Sequence, residues 1–329
     1  MLLKSLLLFA LSLELAAAAV PLKLATAAPK GTSLHQALLE MRDKWLSAPA
    51  GGAALTIYPG SQGGEADVVR RMNIGQLQAA MLSAVGLAEI DKSVGALQYM
   101  PMMFRSLEEI DYVRDRLAPM LEKRMLAKDF VVLFWGDAGW IRFFSKEPAS
   151  LPADFKRMKM FTWAGDAYQA DLMKAAGYQP VPLEISDIYP SLQNGMINAV
   201  AQPPFWALAG QMHKPAPHML EVNWAPLVGA TVITRKAWET IPADARGAML
   251  KAAKEAGAQI KAKSRAESTE SVAAMKKQGL KVQAATAEID AEWRKLAEGF
   301  YPQIRGKIVP ADIFDEVVRL LKEYRKGKS

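Results

Sequence analysis

Apolar residues recur along this chain in two alternating rhythms. Short extended runs at Leu22 to Ala25, Leu55 to Tyr58 and Leu77 to Ser83 predict strands, and helical spacing over His35 to Leu46 and Asp67 to Ile74 predicts the helices between them. Turn chemistry marks the joints: Pro29-Lys30-Gly31-Thr32 leads into Ser33 as the predicted N-cap, and Pro59-Gly60 closes the second strand. Strand, helix, strand, helix in that order is the mark of an α/β domain with a largely parallel sheet. Further helices are expected at Leu107 to Lys128, at Asp166 to Ala176 with Gly177 as the stop, and at Ile185 to Asn194 before Gly195.

The densest patterning lies between Trp135 and Trp163. An apolar run from Phe130 to Phe134 is bounded by Gly136-Asp137-Ala138-Gly139, which reads as a turn, and a second run from Trp140 to Phe144 follows at once. Pro152 and Asp154 suit the start of a short helical turn, and Met158 to Trp163 reads as another strand. In that strand Lys159, Phe161 and Trp163 share one face, while Met158, Met160 and Thr162 share the other. Arg142 is a lone cation inside the preceding apolar run. It suits either a ligand contact or an exposed strand face with its stem laid along apolar neighbours.

Lys236 to Lys277 has a different character, rich in Ala, Lys, Glu and Met, with an early break at Pro242 and then only Gly247 and Gly257. One short helix and one unusually long one are predicted. The apolar positions are mostly Ala and no sustained Leu heptad appears, so a helix bridging two domains is favoured over a coiled coil. Glu288 to Phe300 and Ala311 to Tyr324 are predicted as closing amphipathic helices.

At the start, Lys4, the apolar run Leu6 to Leu13 and Ala16-Ala17-Ala18-Ala19 form the pattern of a cleaved secretory signal over Met1 to Ala19. The run falls short of the ~20 residues that span a bilayer. The chain has 0 cysteines, which removes disulfides and a lipoprotein-type anchor together and points to a free periplasmic protein. The roughly 310 residues beyond Ala19 exceed what one core usually serves, so two domains are expected. The net charge of +7, from 41 basic and 34 acidic residues, is dispersed apart from a cluster at Lys322 to Lys328. No basic block with interleaved aromatics suggests a nucleic-acid face.

Catalysis finds little support. The three histidines, His35, His213 and His218, lack metal-ligand spacing. No GxSxG, GxxxxGK[ST] or strand-linked GxGxxG is present, and Gly60 to Glu65 lacks the lysine of a phosphate loop. Glu108-Glu109 and the pair Asp137 and Asp166 are the candidate acid/base carboxylates, and Ser61 and Ser83 the serines near Gly-rich or strand-end positions. No histidine is placed beside either serine, so a hydrolase ranks behind a binding protein.

Several segments together, LKLAT with the capped helix after it, IYPGSQGGEADVVRRM, MPMMFRSLEE, GWIRFF, DFKRMKMFTW and PVPLEISDIYPSLQNGMINAV, followed by the late long helix, resemble the solute-binding proteins of TRAP-type (tripartite ATP-independent periplasmic) transporters, dicarboxylate-binding type. The resemblance runs from Leu22 to about Tyr324 and implies a two-lobed α/β periplasmic binding protein fold, with a ligand cleft between the lobes and a long helix bracing both. It places lobe I at residues 20–139 and 228–267, and lobe II with the C-terminal helices at 140–227 and 268–329. It implies a binding protein without enzyme activity or cofactor, which closes on a small-molecule ligand and hands it to an integral membrane permease. A periplasmic sensor using the same cleft is the alternative.

Family members hold organic acids with an arginine on the strand matching Met158 to Trp163, and that position falls on Phe161. The resemblance therefore implies a divergent subgroup without the clamp arginine, which favours more apolar ligands and adds a periplasmic helical-repeat partner. A second family arginine is matched by Arg142, an asparagine position by Gln202 and an acidic position by Asn198. Phe161 and Trp163 would be joined at the cleft by Trp140, Phe205, Trp206, Trp135 and Tyr168, although Trp135 and Trp206 also suit the core. Asp137, Asp166 and Glu65 complete the candidate ligand contacts, with no metal assigned.

Overall fold

The computed structural model describes residues 18–60 and 62–328, so the expected signal segment and Ser61 lie almost wholly outside the described residues. The chain opens with β1 (Val20–Thr26), α1 (Ser33–Leu46), β2 (Ala53–Tyr58), α2 (Glu65–Asn73), β3 (Ala79–Ser83), α3 (Ala84–Ala88), α4 (Leu107–Leu126) and β4 (Phe130–Trp140). It then crosses into a second lobe with β5 (Arg142–Ser145), α5 (Pro152–Phe155), β6 (Lys159–Trp163), α6 (Ala167–Ala175), β7 (Gln179–Leu183), α7 (Ile188–Asn194), β8 (Ala199–Gln202), α8 (Pro204–Ala209) and β9 (His218–Leu220). It returns through β10 (Pro226–Thr234) and α9 (Arg235–Thr240), crosses again along α10 (Ala243–Lys277) to β11 (Lys281–Gln283), and closes with α11 (Ala287–Ile304) and α12 (Ala311–Lys326).

Two sheets result, a 5-stranded one ordered β2-β1-β3-β10-β4 and a 6-stranded one ordered β11-β9-β5-β8-β6-β7. Each is mixed: β1 runs parallel to β2 and β3, and β6 to β7 and β8, while β10 and β5 pair antiparallel with their neighbours. Alternate residues feed opposite faces, as a two-residue period requires. Leu22 and Leu24 of β1 join the core beneath α1 and α10, while Ala25 joins the one beneath α2. In the second lobe Phe144 and Phe161 share one core, and Phe143 and Met160 another.

Gly136 to Gly139 is not the expected turn. It continues β4, because β10 supplies an antiparallel partner pairing Gly136 with Gly229 and Asp137 with Val228. A bulge between Pro226 and Val228, and the positive φ of 78° at Gly139, absorb the irregularity that the composition reported. Thr32, not Ser33, caps α1: its Oγ1 accepts from the His35 amide, and Ser33 donates instead to Glu267 at 2.7 Å. Ser33 is already inside the helix.

The long helix is present, starting immediately after Pro242. It packs on β4 and α1 through Met249, Ala253 and Ile260, and reaches the second lobe with Met275. Gly257 lets β4 approach closely, since a Cβ there would stand 2.6 Å from Phe134. The C-terminal helices, expected wholly with the second lobe, divide. Trp293 and Ala297 of α11 join a second-lobe core, whereas Phe300, Ile304 and the buried face of α12 (Ile313, Phe314, Val317, Leu320, Leu321) pack with Leu117 and Leu121 of α4 in the first.

Candidate functional site

Two extended segments join the lobes side by side. The Ile141 amide donates to the Ala225 carbonyl at 2.8 Å, and the Trp224 amide donates back to Ile141 at 3.4 Å. The cleft opens beside this hinge, where the C-terminal ends of β1, β3, β6 and β8 converge from both sheets. Ligands of open α/β sheets settle outside these strand ends, because the connections there diverge and leave a crevice.

Trp163, the last residue of β6, sits at the centre and lines three adjoining cavities. The first encloses about 1020 Å³ of empty space, mouth included, walled by Phe143, Phe161, Tyr178, Trp224, Trp293 and Phe300, with Gln98 and Gln169 as polar fixtures. Its aromatic rings brace one another: Phe143 stacks on Trp293 at 4.6 Å, and Trp224 meets Trp293 edge-on at 5.5 Å. The second, about 650 Å³, lies between lobes and is lined by Leu34, Ser83, Phe134, Gln202, Trp206 and Glu65. The third, about 580 Å³, opens by Thr26, Gln62, Glu65 and Glu184. No lysine, arginine or histidine lines any of the three.

Phe161 packs into the second-lobe core with its ring 5.9 Å from Trp163 while still facing the first cavity. Arg142 pairs across the sheet with Gln202, which puts both side chains on the same face. The guanidinium is half-buried, borders none of the three cavities and makes no hydrogen bond or ion pair among the described residues. Burial pushes its pKa down, and the Glu221 charge only partly offsets that. Gln202 is 3% exposed, faces the second cavity and has no side-chain partner among the described residues.

The carboxylates fare differently. Asp137 is buried and held by Arg265, whose Nε and terminal nitrogen donate to it at 3.0 and 2.7 Å, so its charge is already met within the protein. Asp166 caps α6 by accepting from the Gln169 amide at 3.0 Å, with Oδ2 left unpartnered, and burial pushes its pKa up. Tyr99 of the first lobe lies against it, its phenol pushed well up by burial and by the Asp166 charge. Glu65 accepts from the Ser83 amide, the Ser83 hydroxyl and the Gly86 amide at 2.8, 2.5 and 2.9 Å, yet burial still raises its pKa.

Several expected contacts stand elsewhere. Trp140 and Trp135 pack on the cluster around α4 and α12, with the Trp135 indole donating to Glu122 at 3.0 Å. Phe205 packs against the core of the first lobe away from the cavities. Tyr168 is 49% exposed and accepts from Lys92 at 2.6 Å. Trp206 does reach the second cavity, and its indole nitrogen is buried without a partner. Sequence reasoning missed Tyr99, Trp224, Trp293 and Glu184. Only Glu184 carried a local signal, a carboxylate at the end of a strand beside the Phe161 strand.

The model of the family described as bacterial extracellular solute-binding protein, family 7, matches residues 24–307. A C4-dicarboxylate-binding periplasmic protein of Rhodobacter capsulatus is 24% identical over 283 residues, covering 85% of this chain and 84% of the relative. A TRAP periplasmic solute-binding protein of Shewanella oneidensis, solved with bound succinate, shares the fold with a TM-score of 0.85 at 19% identity, over 92% of this chain and 100% of that one. An extracytoplasmic solute receptor of Bordetella pertussis binding pyroglutamic acid superposes with a TM-score of 0.84 at 17% identity, over the same shares of 92% and 100%.

Proposed function

Because the chain belongs to the bacterial extracellular solute-binding proteins of family 7, we propose that it is the periplasmic receptor of a TRAP-type secondary transporter, closing its lobes on an organic acid with an apolar body and delivering it to an integral membrane permease. It is a binding protein and not an enzyme. The observation that carries the ligand reading is the lining of the cleft, aromatic and free of lysine, arginine and histidine around Phe161 and Trp163. A bidentate carboxylate clamp needs a guanidinium fork, and Phe161 offers a ring instead. Burying roughly 150 Å² of aromatic solute at about 25 cal/mol/Å² contributes ~4 kcal/mol.

Arg142 is left for one acidic head group, on the same sheet face as Gln202, with no ion pair among the described residues and only the Glu221 charge acting on it. The secretory pattern at Met1 to Ala19 supports a periplasmic setting. Among the described residues no helix is long and apolar enough to cross a membrane. The apolar-ligand reading also favours an additional periplasmic partner of helical repeats, which would accept a poorly soluble solute. Native mass spectrometry of the mature protein, followed by extraction of whatever co-purifies, tests the proposal. An acid with an aromatic or long apolar body is expected, and a compact dicarboxylate such as succinate would overturn it.

A further inference from the structure

The charge in this cleft is lopsided in a way that an acid-binding site does not need. Glu65 borders the second and third cavities and Glu184 the third, on opposite lobes, and no lysine, arginine or histidine among the described residues pairs with either carboxylate. Glu184 stands so close to the facing lobe that a Cβ on Gly64 would lie 2.7 Å from its Oε1, and its side chain has no hydrogen-bond partner among the described residues. Burial pushes both carboxyls up, and the neighbouring Asp187 and the facing Asp67 add to the effect at Glu184. Glu65 has an internal role, since its bonds to Ser83 and Gly86 cap α3. Glu184 has none.

A second feature points to a ligand here. Gln202 is 3% exposed, has no side-chain hydrogen bond among the described residues and faces the cavity that Glu65 and Trp163 also line. Its amide opens onto that cavity, where a bound solute can supply the hydrogen bonds that the chain does not. Trp163 reaches all three cavities, and an indole face beside carboxylates is a favourable seat for an ammonium group.

We propose that the solute is a zwitterion, whose ammonium group is accepted by Glu184, with Glu65 and the Trp163 side chain beside it, while its carboxylate turns to Gln202 and its apolar body fills the aromatic cavity. This rests on reading the cleft as the site of an apolar acid and adds a cationic group to that solute. The amine neutralises the two facing carboxylates as the lobes meet. A plain carboxylic acid would leave them opposed across the closing cleft.

Isothermal titration of the mature protein with a matched set, phenylalanine, 3-phenylpropanoate and 2-phenylethylamine, separates the two readings. A charge-assisted hydrogen bond predicts that phenylalanine binds roughly tenfold or more tightly than 3-phenylpropanoate. Glu184→Gln should collapse that preference to about twofold or less, with circular dichroism and melting temperature showing that the variant is folded. Binding of 3-phenylpropanoate as tight as that of phenylalanine overturns the zwitterion while leaving the apolar-acid reading intact. A preference for phenylalanine that persists in Glu184→Gln also overturns it. Absence of binding by all three overturns both.

Discussion

Arg265 of α10 clasps Asp137 of β4 through two hydrogen bonds of 3.0 and 2.7 Å, and with its remaining nitrogen it reaches Asp111 of α4 at 2.8 Å. The bridging helix is thereby fastened to the strand that leads into the hinge. The Asp137 side chain is 1% exposed, and among the described residues its only other cation, Arg114, stands 3.7 Å away. Arg265→Ala should therefore cost about 3–5 kcal/mol in denaturant unfolding, because a buried charge is left without its partner. The double variant Asp137→Asn/Arg265→Ala should recover part of that loss. Loss of less than ~1 kcal/mol in the single variant would show that Arg114 moves in.

Phe161→Arg places a guanidinium in the cavity beside Trp163. Succinate affinity is expected to rise roughly tenfold or more, and affinity for an apolar acid to fall, when both are followed by calorimetry. Phe161→Leu, which keeps the site apolar, should leave succinate binding unchanged.

Arg142→Gln should weaken binding of any carboxylate-bearing solute by roughly tenfold to a hundredfold, the worth of a charge-assisted hydrogen bond. Its melting temperature should change little, since the guanidinium makes no ion pair among the described residues. A large drop in stability with unchanged affinity would assign Arg142 to packing alone.

Gly257→Ala tests the close approach of α10 to β4. Alanine favours a helix over glycine by about 1 kcal/mol, but the added Cβ would stand 2.7 Å from the Phe134 Cβ and Cγ. Overpacking of this kind costs about 1–3 kcal/mol, so net destabilisation is expected in urea titration.

Glu109 and Arg325 join α4 to α12 with hydrogen bonds of 2.7 and 2.9 Å. Burial alone would raise the Glu109 pKa, but the Arg325 guanidinium and the Arg105 amide overcome this and hold it below the ordinary carboxylate value. A carboxylate depressed in the fold adds stability that is complete above its unfolded pKa, ~4.3, and is lost as pH falls through the folded value. Glu109→Gln should flatten the acid limb of the stability profile and lower stability at neutral pH, as measured by urea midpoints between pH 3 and 7.

Much of the architecture is legible in local patterning. Pro242 ends one helix and begins another, the alternation through Leu22, Leu55 and Leu77 specifies an α/β lobe, and the helices expected from Leu107 and from Asp166 form there. These features depend on neighbours a few residues apart, and one sequence contains all of those partners. The strand β10 left no comparable mark, and neither did the division of α11 and α12 between lobes, because each is decided by distant contacts.

The sequence by itself determined that the chain folds as an α/β protein with a long bridging helix, that it has no disulfides, and that an aromatic stands at Phe161. Only the tertiary structure decided that Gly136 to Gly139 is strand, since its partner Gly229 arrives from far along the chain. It also decided that Asp137 belongs to Arg265, while Glu184 and Gln202 are left facing the cleft. The reason is physical. Periodicity and capping are written in short-range steric and hydrogen-bonding preferences, whereas the partner of a buried charge is set by which segments the packed core brings within about 3 Å of each other.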